Sequence, residues 1–198
     1  MRLFALLLLA TAVGSASAAV VNFDNYSPRY DFSMTTIVTD GFSFTNTCQC
    51  MGVEDRQPQT LGGDPLPGAY NGTASLIYST DPLTISATSA AAFYLDRLDL
   101  GLSWYVPDTD VGSIATLTLS LAAGGTSSID VALDRSYSTV LIGQDVLGVT
   151  ISGGRSFGYV SLDNLVVNNR VPEPASAGLA LLALCGAGFA TRRRQASA

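Results

Sequence analysis

The sequence predicts an all-β domain of the β-sandwich or jelly-roll class, held between two targeting ends. Three observations carry this expectation. Between residues 19 and 170, short apolar stretches alternate with turn residues, with no charge run and no repeat. Charged residues make up only 13% of the chain, and the middle is rich in Ser, Thr, Gly and Ala. About eight to ten candidate strands fit into roughly 150 residues, the usual size for one core.

The N-terminal end comes first. Met1-Arg2 forms a short positive start, and Leu3 to Val13 is an apolar run of about eleven residues, the length of a signal-peptide core and too short to span a bilayer. Ala16-Ser17-Ala18 supplies small residues for signal peptidase. Cleavage after Ala18 starts the mature chain at Ala19, so residues 1–18 are read as a signal peptide and 19–170 as the domain.

Strands are expected over Val20–Tyr26, Thr35–Thr45, Ala74–Ser79, Leu83–Thr88, Ala92–Tyr105, Thr139–Ile142, Leu147–Ser152 and Phe157–Asn168. Two further stretches alternate cleanly. Leu117, Leu119 and Leu121 face one way, and Ile129, Val131 and Leu133 do the same, with Asp130 and Asp134 outward. The Ala-Ala-Gly-Gly-Thr-Ser turn between them makes a hairpin. Two strands break phase. The apolar set slips from Phe93/Leu95 to Leu98/Leu100, and from Val160/Leu162 to Leu165/Val167. Such a slip implies a β-bulge, which re-aims side chains. Arg56 to Asn71, with Pro58, Pro65, Pro67 and Gly62-Gly63, reads as a long surface loop, and loops of that length often carry function. Asn71-Gly72-Thr73 reads as a turn.

Composition excludes several chemistries. The chain has no histidine, which removes Ser-His-Asp and Cys-His catalysis and His-ligated zinc or iron. All ten basic residues are arginine, and four of them lie in the targeting ends. The remaining six face sixteen acids, leaving the exported part near −10. Such a surface repels nucleic-acid phosphates, so nucleic acid is rejected as a partner, while cations such as Ca²⁺ are tolerated. Cys185 lies in the C-terminal apolar run and is a small hydrophobe. Cys48 and Cys50 form a Cys-Gln-Cys pair in an exported segment, where an oxidising compartment favours a disulfide; free thiols or a metal are the alternatives.

The C-terminal end is the most specific signal. In Val171-Pro172-Glu173-Pro174, two prolines block both helix and central strand, giving an extended, accessible peptide. An apolar run follows from Ala175 to Ala190, about 24 Å long as a helix and slightly short of a ~30 Å hydrocarbon core. Thr191 and then Arg192-Arg193-Arg194 close it, and arginines after an apolar run stay on the cytoplasmic side. The domain is therefore expected outside, with a single transmembrane helix over 175–191. This order of elements over residues 171–198 resembles the PEP-CTERM sorting signal of Gram-negative bacteria. The resemblance implies recognition of Pro172, Glu173 and Pro174 by an exosortase, with Arg192, Arg193 and Arg194 as the stop. Passage through the inner membrane and delivery to the cell surface or exopolysaccharide matrix would follow, in a structural or adhesive role and without catalysis.

The phase-slipped segments resemble, loosely, the paired strands of carbohydrate-binding jelly rolls. That resemblance implies a structural Ca²⁺ held by an acid near the first strand and an Asp in the last, here Asp24 with Asp163 and Asn164, set against a plain capping or solvent-facing role. Exposed aromatics give a separate carbohydrate-binding expectation: Trp104 and Tyr105 before a turn, and Tyr70 at the end of the long loop, can stack on sugar rings or merely fill the sandwich edge. A secreted glycoside hydrolase, using two of the many Asp residues, is the third reading; it needs two carboxylates about 5–9 Å apart.

Overall fold

The structure is a computed structural model that describes residues 18–55, 60–61, 64–65, 68–79, 81–103, 111–153 and 160–168. Ala18–Asn169 forms one compact unit; the other unit, Met1–Ser17 with Arg170–Ala198, lies outside the described residues, as does the expected membrane span over 175–191. Among the described residues no helix is long and apolar enough to cross a membrane.

The described elements are all strands. In chain order they are β1 (Ala19–Val21), β2 (Thr36–Thr39), β3 (Phe42–Thr45), β4 (Met51–Glu54), β5 (Thr60–Leu61), β6 (Asp64–Pro65), β7 (Ser75–Tyr78), β8 (Leu83–Ala87), β9 (Phe93–Leu102), β10 (Ile114–Leu121), β11 (Thr126–Ala132), β12 (Ser138–Gly153) and β13 (Val160–Val167). β5 and β6 pair only with each other, inside the stretch expected as a long loop.

The long strand β12 organises the rest. Its first half, Ser138–Val146, pairs with β9. Further along, Val149–Ile151 pairs with β8, and β10 takes the other edge. The register shifts between Leu141 and Gln144, next to Gly143 in the left-handed region (φ 64°). An extra residue there bends the strand, and glycine adopts the positive φ at no steric cost. One strand thus joins two layers. The first runs β12-β9-β13-β7-β4, with β1 on the far end of β13; the second runs β2-β3-β8-β12-β10-β11. The sequence reading split β12 in two, because the alternation fails across Ile142-Gly143-Gln144-Asp145.

The apolar faces of both layers close on one core. Leu95, Leu98, Leu100, Leu102 and Leu162 of the first layer share it with Phe44, Ile85, Leu117, Leu119 and Ile151 of the second. Phe23 meets Phe44 edge-on (centroids 5.2 Å apart), and Phe42 meets Phe93 (4.9 Å), so aromatic contacts bridge the layers. Each fully buried Leu or Phe contributes roughly 1.5–3 kcal/mol. This is a β-sandwich.

The β10–β11 hairpin forms with Leu117 opposite Ile129, as the alternation predicts. Thr35–Thr45 is two strands rather than one, turning at Asp40-Gly41, both at positive φ (48° and 80°), which is the mirror-image turn that tight hairpins favour. β4 was not foreseen; Met51-Gly52-Val53-Glu54 is short and contains a glycine. Both phase slips are bulges. β13 gains a residue between Asp163 and Val166, at Asn164 (φ 48°), and β9 gains one opposite Val166/Val167, at Asp96. Asn tolerates the left-handed region better than most residues.

Candidate functional site

The side of the first layer that faces away from the core carries a polar row. Glu54 pairs with Ser75, Asp163 with Asp99, and Asp99 with Thr139. Ser75 lies one step beyond the Leu76–Leu162 pair and so neighbours Asp163. The row therefore crosses β4, β7, β13, β9 and β12 in order. A second row lies beside it: Gly52 pairs with Ile77, Ile77 with Ser161, and Ser161 with Gly101. These positions alternate with core residues, as the period-two geometry of a strand requires.

Half of this face is roofed by chain. A methyl group on Gly52 would stand 2.5 Å from the Asp31 carbonyl oxygen and 2.6 Å from the Phe32 ring, so the 31–32 segment lies directly on the sheet there. A methyl on Gly101 would collide with Ala69. The bare backbone at both positions lets the covering segments reach the sheet. Under this roof Glu54, Ser75, Ser161 and Asp163 are buried although polar. The Tyr137 hydroxyl bonds Ser161 Oγ at 2.7 Å. Burial pushes the Tyr137 pKa up to about 12; bonds from Ser161 and Ser75 oppose the shift, and the charges of Asp163 and Glu54 add to it.

Asp163 is fully buried, and three donors meet it. Asn71 Nδ2 (2.8 Å) and Thr73 Oγ1 (2.8 Å) approach Oδ2, and the Asn164 amide donates to Oδ1 (2.8 Å). Burial raises its pKa, the three hydrogen bonds lower it, and the charge of Asp24 raises it further. Asp24 Oδ1 accepts the Ala74 amide at 2.9 Å. The two carboxylates thus hold the same turn, residues 71–74, from two sides. Inside it, Asn71 Oδ1 accepts the Thr73 amide at 3.1 Å, an Asx turn that passes through Gly72 at φ 97°. Arg29 braces the first side, bonding the Asp24 carbonyl and the Asp55 carboxylate.

Among the described residues, nothing covers the other half of the face. Between β1, β13, β9 and β12 lies a cavity of about 440 Å³, within the ~300–1,000 Å³ of small-ligand sites. Asp99 stands in it, with Thr139 Oγ1 donating to Oδ1 (2.6 Å) and Asn164 Nδ2 donating to Oδ2 (2.9 Å). Each donor comes from a neighbouring strand, so the carboxylate is fixed while one face of each oxygen stays available. Arg97, two residues along β9, shares the cavity and touches Asp96 at 3.5 Å, an exposed ion pair worth ~0–1 kcal/mol. Arg97 pairs with Val166 on one side and with Leu141 on the other, and Val20 pairs with Val166. Leu141 is 75% exposed and Val20 50%, so the cavity has apolar walls that no part of the described chain covers.

The expected site residues divide accordingly. Asp24 and Asp163 come together on the 71–74 turn, whereas the Asn164 side chain points to Asp99 and not to that pair. Among the described residues no group of three or more Asp, Glu, Cys or His has the placement to hold a metal. Tyr70 is half-buried beside the turn, and Trp104 and Tyr105 lie outside the described residues. Cys48 and Cys50 are joined as a disulfide, with Cα atoms 5.2 Å apart. Ala18 is exposed, Ala19 opens β1, and Ala16 lies outside the described residues, as do Pro172, Glu173, Pro174 and Arg192 to Arg194. The sequence reading missed Arg97, Asp99 and Thr139. The bulge signal marked their neighbourhood, but only the register brings Asn164 and Thr139 to Asp99.

With this geometry in place, comparison with known proteins adds one firm assignment. Residues 170–194 match the model of the PEP-CTERM protein-sorting motif. The chain carries a PEP-CTERM sorting signal. It begins three residues after the last strand, Val160–Val167, and covers the segment that the sequence marked by its prolines and arginines. No curated protein sequence matches the chain. Among solved structures, the chain is similar to TmCBM61, solved in complex with β-1,4-galactotriose, at 12% identity and TM-score 0.42, covering 74% of this chain and 97% of that one. It is also similar to a family 29 carbohydrate-binding module, at 13% identity and TM-score 0.40, covering 79% and 96%.

Proposed function

We propose that this is an exported protein of the cell surface or exopolysaccharide matrix, with a structural or adhesive role, whose β-sandwich is delivered by an exosortase-processed tail. The observation that carries the reading is the sorting signal at 170–194 directly after the sandwich. In this reading residues 1–18 are removed by signal peptidase. The segment 175–191 rests in the inner membrane with Arg192 to Arg194 on the cytoplasmic side, and exosortase cuts near Pro172-Glu173-Pro174. Mass-spectrometric mapping of the mature C-terminus tests it. The chain should end near Pro172–Pro174 in cells with exosortase, and should keep its tail and stay with the membrane in cells without it. A full-length tail in both strains would refute the reading.

A second reading, carbohydrate binding by the sandwich, is favoured by the open cavity around Asp99. Calcium at Asp24 and Asp163 belongs to this reading and is supported only by the approach of the two carboxylates; its sign would be a melting temperature that rises with added Ca²⁺. A glycoside hydrolase needs two carboxylates at one cleft. Asp99 is the one carboxylate among the described cavity residues, and Asp163 is engaged in holding the 71–74 turn. The proposal assigns the domain no catalytic role.

A further inference from the structure

Of the aromatics that suggested carbohydrate binding, Trp104 and Tyr105 lie outside the described residues, and Tyr70 is not part of the cavity's described lining. That lining is instead a matched set of polar groups between apolar walls. Asp99 has both oxygens steered by Thr139 and Asn164, which orients the carboxylate and leaves it able to accept further O–H donors. Arg97 offers several N–H donors, of which the distant contact to Asp96 engages one end. Donor and acceptor sit two residues apart on one strand and on the same face, a spacing of about 7 Å along the chain. That spacing is of the order of one sugar ring, so the two side chains can reach different hydroxyls of a single unit, which both donate and accept. Leu141 and Val20 flank this pair and present C–H surface to the apolar face of such a ring. One arginine and one aspartate cancel, and Asp96 beside them adds negative charge, so an anionic ligand is disfavoured.

We propose that the cleft between β1, β13, β9 and β12 is a subsite for a neutral pyranose unit of a polysaccharide, with Asp99 accepting from and Arg97 donating to its hydroxyls, and Leu141 packing on its C–H face. This deepens the second reading above and does not depend on how the tail is processed.

Native affinity electrophoresis of the full chain tests it, in gels containing hydroxyethylcellulose, glucomannan, galactan or, as an anionic polymer, alginate. At least one neutral polymer should retard the protein, and alginate should not. Asp99→Ala and Arg97→Met should each weaken the retardation roughly tenfold or more, the scale of one charge-assisted hydrogen bond. Leu141→Glu, at a side chain too exposed to affect folding, should weaken it as well, and Asp134→Ala, on an exposed residue outside the cleft, should not. Retardation by alginate alone, retardation by no neutral polymer, or variants that bind like the parent would each overturn the proposal. Mapping of the mature C-terminus is a separate measurement, so failure of this subsite and failure of the sorting reading are told apart.

Discussion

One face of one sheet carries two chemistries. In the half over β4, β7 and the start of β13, Glu54, Ser75, Ser161 and Asp163 are buried beneath the 31–32 and 69–74 segments. In the half over β9, β12 and β1, Asp99, Arg97 and Thr139 belong to the same sheet and point the same way, yet meet solvent. Asp163 and Asp99 are direct cross-strand partners. The difference between them is the roof. Under it a carboxylate must be met by fixed donors, because leaving it unmatched costs several kcal/mol. In the open, water meets part of that demand, and the same group remains available to a ligand. Polarity on a sheet face therefore does not by itself mark a site; whether chain covers it does.

That comparison can be broken most severely at the roof itself. Gly52→Ala places a methyl against the Asp31 carbonyl and the Phe32 ring, and backbone is slow to give way. We expect a loss of about 2–4 kcal/mol in urea unfolding, by lifting the 31–32 segment; a loss under about 0.5 kcal/mol would show that the roof is loose.

A smaller effect sharpens the comparison through pH. Burial holds the Asp163 pKa above its ordinary value. Between the unfolded and the folded pKa, the folded protein then binds more protons than the unfolded chain, so this group makes stability fall as pH rises through that window. Asp163→Asn does not titrate. Melting curves from about pH 3 to 7 should show the parent losing stability relative to the variant as pH rises from about 4, and a parent that gains instead would mean that the hydrogen bonds outweigh burial.

The smallest effect belongs to the open half. Thr139→Ala removes one exposed hydrogen bond to Asp99 and should change unfolding by less than about 0.5 kcal/mol.

Much of the fold was legible in the residues. Alternation placed Leu117 to Leu133 as a hairpin, and the slips at Leu95/Leu98 and Leu162/Leu165 located two bulges. Local signals did less where glycine interrupts them. Gly143 hid the continuity of β12, Gly52 hid β4, and the Asp40-Gly41 turn was passed over inside a single expected strand. The sorting motif was legible because its elements are consecutive. The site was not, since Asp99 meets Asn164 across 65 residues and Thr139 across 40, and only strand register sets those distances. Asp24 and Asp163, expected from sequence as calcium ligands, both bond the 71–74 turn. Their role as a clamp on residues 71–74 came from Asn71 and Thr73, which sequence suggested only as a turn.

The most direct test of the divided face is to unfold Asp163→Ala and Asp99→Ala side by side in urea at neutral pH. The roofed residue should cost about 2–4 kcal/mol, because Asn71, Thr73 and the Asn164 amide lose a buried acceptor. The open one should cost less than about 1 kcal/mol, because water replaces it. Equal losses in the two variants would contradict the account.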